Sequence, residues 1–190
     1  SLGALTGSGS VLIVGSNTLT VGGVSSTSTF DGDLSGSGGL IKVGSGTLNL
    51  TGISGLTGNT AINGGTLDLS GSLASAQVNV NTGGTLTGTG SAIGTVNVNS
   101  GGHLALSSGN QLSAGALVLG AGSNVDVSLA TPSTSSLMNI GGNLTLDGNL
   151  NVTDAGGFGV AVYRLFNYSG SLNNLGLDVA SVPIGYALGD

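Results

Sequence analysis

One pattern returns along the chain at a period too long for a single strand and too regular for disorder. It reads GSNTLTV (15–21), GSGTLNL (44–50), NGGTLDL (63–69), NTGGTLTG (81–88), NSGGHLAL (99–106), GAGSNVDV (120–127) and GGNLTL (141–146). The first apolar residue after each Gly- or Asn-containing corner forms a ladder: Leu19, Leu48, Leu67, Leu86, Leu104, Val125 and Leu144. A second ladder precedes the corners: Val14, Val43, Ile62, Val80, Val98, Leu119 and Ile140. Their intervals are 18 to 21 residues except the first, which is 29 in both. Two ladders in step imply a solenoid, in which each repeat buries its apolar face by stacking on its neighbours. Leu48/Leu50, Leu67/Leu69 and Leu104/Leu106 alternate with outward residues, and a period of two means strand.

The expected fold is therefore all-β: a right-handed parallel β-helix with about 19 residues per coil, a looser third side through Leu73, Ile93 and Leu112, and a carboxyl-terminal cap. The shared interval of 29 predicts an inserted loop near residues 24–37. Coils occupy residues 1–136, and residues 137–190 form the last coils and the cap. After each pre-corner apolar residue stands Gly15, Gly44, Asn63, Asn81, Asn99, Gly120 or Gly141, the residue types that best tolerate a left-handed backbone. That position is expected to turn the corner, with Asn63, Asn81 and Asn99 stacked as a turn ladder.

Composition narrows the function. Gly and Pro make up 41 of 190 residues (39 plus 2), which rules out a helical bundle. Two basic residues, Lys42 and Arg164, and a formal charge of -6 exclude nucleic-acid binding. With no Cys and one His, neither disulfides nor thiolate or His-rich metal sites can form. The apolar runs are too short for a membrane helix, so no direct membrane insertion is expected, and SLGALTGSGS carries no visible signal peptide. The chain reads as a segment of something longer.

His103, the one available base, takes an outward rung position equivalent to Thr47, Thr66, Thr85, Asn124 and Asn143. Asp68 and Asp126 share another outward position three coils apart, about 14 Å, too far for a glycosidase pair. Asp31 and Asp33 read as a solvated loop rather than a Ca²⁺ site, and the Thr rows are too broken for an ice-binding face. Arg164 is expected to pair or stack near Asp154 or Asp178. The sequence thus predicts no enzyme and no cofactor.

Residues 38–69, GGLIKVGSGTLNLTGISGLTGNTAINGGTLDL, resemble the strand repeat in passenger domains of bacterial autotransporters, the type V secreted proteins. The match includes Gly39, Lys42, Gly44, Gly46, Thr47, Leu48, Leu50, Gly52, Gly58, Asn63, Gly64, Gly65, Thr66 and Leu67; Leu56 stands where the family carries an aromatic residue. The stretch Leu144 to Leu177, containing NVTDAGGFGVAVYRLFNYSGSLNNLGL, resembles the segment that ends such passengers before their membrane barrel. The resemblance implies a bacterial cell-surface or secreted location, with attachment to the outer membrane through the protein's own carboxyl-terminal barrel, outside this chain. It further implies a non-catalytic stem whose carboxyl-terminal segment assists folding as an autochaperone. The alternative is an adhesin or self-association module that binds a host surface or another copy through polar ladders and loops. Phe158, Val160, Val162, Tyr163, Leu165, Phe166 and Tyr168, the densest cluster of large side chains, are the candidate folding nucleus, with Val160 and Val162 alternating in a strand that covers the last rung.

Overall fold

The computed structural model describes residues 2–23 and 25–186, and across them the chain is strands and turns with no helix. It winds as a parallel β-solenoid with about 21 residues per turn over about seven turns. Each turn has three faces. The first runs from Thr18–Val21 through Gly39–Lys42, Thr60–Ile62 and Gln77–Val80 to Leu144–Leu146 and Leu172–Asn174. The second is an eight-stranded sheet from Ser28–Phe30 through Thr47–Leu50 and Gly65–Leu69 to Asn149–Asp154 and Asp178–Ser181. The third runs from Val11–Leu12 through Leu34–Gly36 and Ile53–Leu56 to Met138–Ile140 and Phe166–Tyr168. Ser91–Val98 and Leu112–Leu119 round a corner and belong to both the third and first faces, which joins them into one sheet.

Stacking converts the period-two alternation into continuous apolar columns. On the second face Leu48, Leu67, Leu86, Leu104 and Val125 lie in register, each fully buried. On the first, Leu19, Leu40, Thr60, Val78, Val96, Leu117, Leu144 and Leu172 form one column. Burial of each large apolar side chain contributes about 1.5 to 3 kcal/mol, so the columns hold the rod together along its axis. Thr60 enters this column because its hydroxyl shares a hydrogen bond of 2.8 Å with that of Ser75, which is also buried.

The structure corrects the expected register at both ends. Leu19 and Leu144 belong to the first face rather than to the ladder of Leu48 and Leu67, and Ile140, expected to follow Leu119 in the second ladder, pairs with Ala114 on the third face. Of the inserted loop expected near 24–37, residue 24 lies outside the described residues and residues 25–37 are not an insertion: Ser28–Phe30 pairs with Thr47–Leu50, and Leu34–Gly36 pairs with Ile53–Leu56, completing an ordinary turn. The interval of 29 arose from comparing similar motifs on different faces. Real lengthening comes at the other end. Along the second face successive in-register residues are 19, 19, 18, 21, 25 and 29 apart (Leu48, Leu67, Leu86, Leu104, Val125, Leu150, Val179), which raises the mean above 19.

Three individual residues also change place. Ile93 is exposed, and Ala92 holds the inward position between Leu73 and Ala114. Val14 is exposed and outside the ladder. Lys42, not Val43, stacks between Val21 and Ile62, and only 1% of its surface is exposed. Its Nζ donates to the carbonyls of Val43 (2.8 Å), Gly44 (3.2 Å) and Gly64 (3.1 Å), so all three ammonium protons are used. Desolvation by burial holds its pKa below the ordinary lysine value.

Candidate functional site

Two regions carry organised polar side chains: the corner and outward rows of the rod, and the long loops of its last turns. At the corners, Asn81 Nδ2 donates to Asn63 Oδ1 at 2.6 Å, and Asn99 Nδ2 donates to Asn81 Oδ1 at 2.7 Å. The Asn stack forms, but not through a left-handed backbone, because no described non-Gly residue has positive φ. Gly83 (φ 77°), Gly101 (70°) and Gly122 (73°) carry the left-handed conformation instead. Hydrogen bonds from Gly84 N to Asn81 O and from Gly102 N to Asn99 O, both 2.8 Å, close four-residue turns with that Gly third. This is the position a type II turn reserves for Gly. Asn therefore opens the turn while Gly two residues later makes it.

Further polar rows went unrecognised in the sequence. Asn97 Nδ2 donates to Asn79 Oδ1 at 3.0 Å. Asn139 bridges Gln111 (2.7 Å) and Asn167 (3.3 Å) on three successive turns. Their 28-residue spacing lies outside the 18-to-21 period and hid them. His103 stands in register with Thr85 and Asn124, outward as expected. Its Nδ1 also meets Asp126 Oδ2 at 2.6 Å across the diagonal of the next rung, where Ala105 leaves space. Asp126 Oδ1 accepts from Asn151 Nδ2 at 2.8 Å, and Asn151 Oδ1 accepts from Ser181 Oγ at 3.3 Å. A carboxylate-oriented imidazole is half of a hydrolytic arrangement; among the described residues no hydroxyl is bonded to its Nε2.

The carboxyl-terminal cluster assembles only in part. Phe158 stacks on Tyr163 with centroids 5.2 Å apart and meets Tyr186 edge-on at 4.8 Å. Tyr163 Oη donates to the Ala130 carbonyl one turn below at 3.2 Å, and Asp154 Oδ1 accepts from Gly156 N and Phe158 N at the loop's start. Leu165 and Phe166 are half-buried against the core. Val160 and Val162, expected to alternate in a strand, are instead 98% and 91% exposed in an irregular loop. Two glycines at positive φ, Gly156 and Gly157, and a further Gly159 break the strand before they are reached. The loop flanks the rod beside residues 108–111 and 133–137 rather than covering its end, where Tyr168, Leu172 and Val179 remain 40 to 44% exposed. Arg164 forms no ion pair or ring stack among the described residues, contrary to expectation, and is exposed on the wall of a cleft of mixed polar and apolar lining.

An all-strand rod with Asn- and Gly-built corners and polar outer rows defines a β-solenoid that fits an autotransporter passenger domain. Over 94 residues, 48% of this chain, it is 43% identical to the protein named Adhesin BmaC autotransporter from Brucella suis biovar 1 (strain 1330). The chain spans 2% of the length of that protein. No family model matches the chain.

Proposed function

We propose that this chain is a non-catalytic stem segment of a secreted autotransporter passenger at the bacterial surface. The observation that carries the reading is the unbroken stacking of three faces, with buried columns running through them. Such a rod advances about 4.8 Å per turn and holds whatever lies beyond it away from the membrane. In this reading residues 137–190 assist folding: their turns are the longest, carry five of the six aromatics, and are tied to the preceding turn through Tyr163. The membrane partner is the protein's own barrel, outside this chain. No cofactor is required.

A second reading, adhesion or self-association through the polar rows and loops, is favoured by one observation: the relative carries the name of an adhesin. Sedimentation across a wide concentration range separates the two. The stem reading predicts a monomer throughout. A concentration-dependent dimer, lost when Asn139 and Asn167 are replaced by Ala, would put self-association first.

A further inference from the structure

The cleft beside Arg164 has features that a stem does not need. It is an open cleft of about 260 Å³ where residues 108–111, the loop 133–137 and the Tyr163–Arg164 segment converge, just under the roughly 300 Å³ at which small-molecule sites begin. One wall is fixed from within: Gln111 Nε2 donates to the Ser136 carbonyl (2.9 Å) and hydroxyl (3.1 Å), its Oε1 accepts from Asn139, and Tyr163 is pinned to Ala130. The hydrogen-bonding capacity of those groups is taken up within the chain. The groups left to face a ligand are the Arg164 guanidinium, the Ser135 hydroxyl, the Ser133 hydroxyl as a donor (its oxygen accepts from Ser135 N at 3.1 Å), and the Asn110 carboxamide oxygen.

From this arrangement we propose that the cleft binds a sugar ring bearing a carboxylate, a uronic acid. Hydroxyl and amide groups match the several hydroxyls of a sugar, and Tyr163 supplies an aromatic edge. Arg164 supplies the fork that a carboxylate accepts bidentately. It is also the chain's one exposed cation among the described residues, since Lys42 is buried, so an acidic ligand has a single place to go on a surface of net charge -6. This inference goes beyond the stem reading and does not depend on it.

The test titrates the full chain with glucuronate, glucose and acetate, and follows backbone amide shifts by NMR. Glucose differs from glucuronate in lacking the carboxylate, and acetate lacks the ring. The proposal predicts shifts at Ser133, Ser135 and Arg164, with glucuronate at least about tenfold tighter than either control. Arg164→Gln abolishes that preference, and Arg164→Lys, which keeps charge without the fork, loses most of it. Because Arg164 is exposed, both variants retain the wild-type spectrum elsewhere. Acetate binding as tightly as glucuronate, glucose binding equally, an unchanged preference in Arg164→Gln, or no shift with ligand at about 100 mM would each overturn it.

Discussion

At the scale of single residues, each inward side chain of the columns has a neighbour above and below. Leu67 lies between Leu48 and Leu86, and Leu104 between Leu86 and Val125, all with no exposed surface. Asp at either position deletes core volume and buries a carboxylate without a partner, a loss of at least about 4 kcal/mol. Thermal melting followed by circular dichroism should show the variants unfolded, or melting far below the parent. The corners give a subtler comparison. Asn81→Val removes two exposed amide bonds without backbone strain, about 1 kcal/mol, whereas Gly83→Val forces a β-branched residue to φ near 77°, about 1 to 3 kcal/mol. A Cβ at Gly83 meets nothing within 4 Å, so the drop in melting point of Gly83→Val reads backbone strain rather than a Cβ clash, and it should exceed the drop of Asn81→Val. Lys42 adds a pH dependence. Its folded pKa is depressed from 10.5, so the unfolded chain binds the extra proton, and stability rises as pH climbs from the folded pKa to 10.5. The stability difference between the parent and Lys42→Met should therefore shift in the parent's favour over that interval, by paired denaturant titrations.

Strand by strand, the sequence was legible where the repeat was strictest. The column of four leucines and a valine from Leu48 to Val125, the inward Ile62, Val80, Val98 and Leu119, and the Asn stack were all visible as period plus alternation. The ends were not, because the three faces use interchangeable motifs: GSNTLTV and GGNLTL look like second-face strands but pair on the first. Nor was Lys42 readable as a core residue. Its place depends on three carbonyls brought together by two successive corners, and no local pattern records that. The His103–Asp126 contact was hidden because it runs diagonally between rungs, 23 residues apart. Gly88 marks another such point: it replaces leucine in the column of Leu69, at φ 128°, and a Cβ there would come within 2.0 Å of the Leu69 carbonyl oxygen. Gly88→Ala must displace backbone, so it should destabilise by more than about 2 kcal/mol and weaken amide protection on Gly65–Leu69 as well as its own strand, by hydrogen exchange.

For the whole molecule, a stack of small-residue turns poses a kinetic problem. Each turn must lose about 1 to 2 kcal/mol of backbone entropy per residue before a neighbour offsets it, so the rod benefits from one end that forms first. The aromatic loop at 155–166 suits that role by locking two turns together through Phe158, Tyr163 and Ala130, although Val160 and Val162 lie outside the packed cluster. Refolding from denaturant, followed by far-UV circular dichroism on chains lacking either residues 131–190 or a similar length from the amino-terminal end, tests this polarity most directly. The account predicts that loss of 131–190 slows refolding and promotes aggregation while the amino-terminal deletion does much less; equal rates and equal solubility of the two would contradict it.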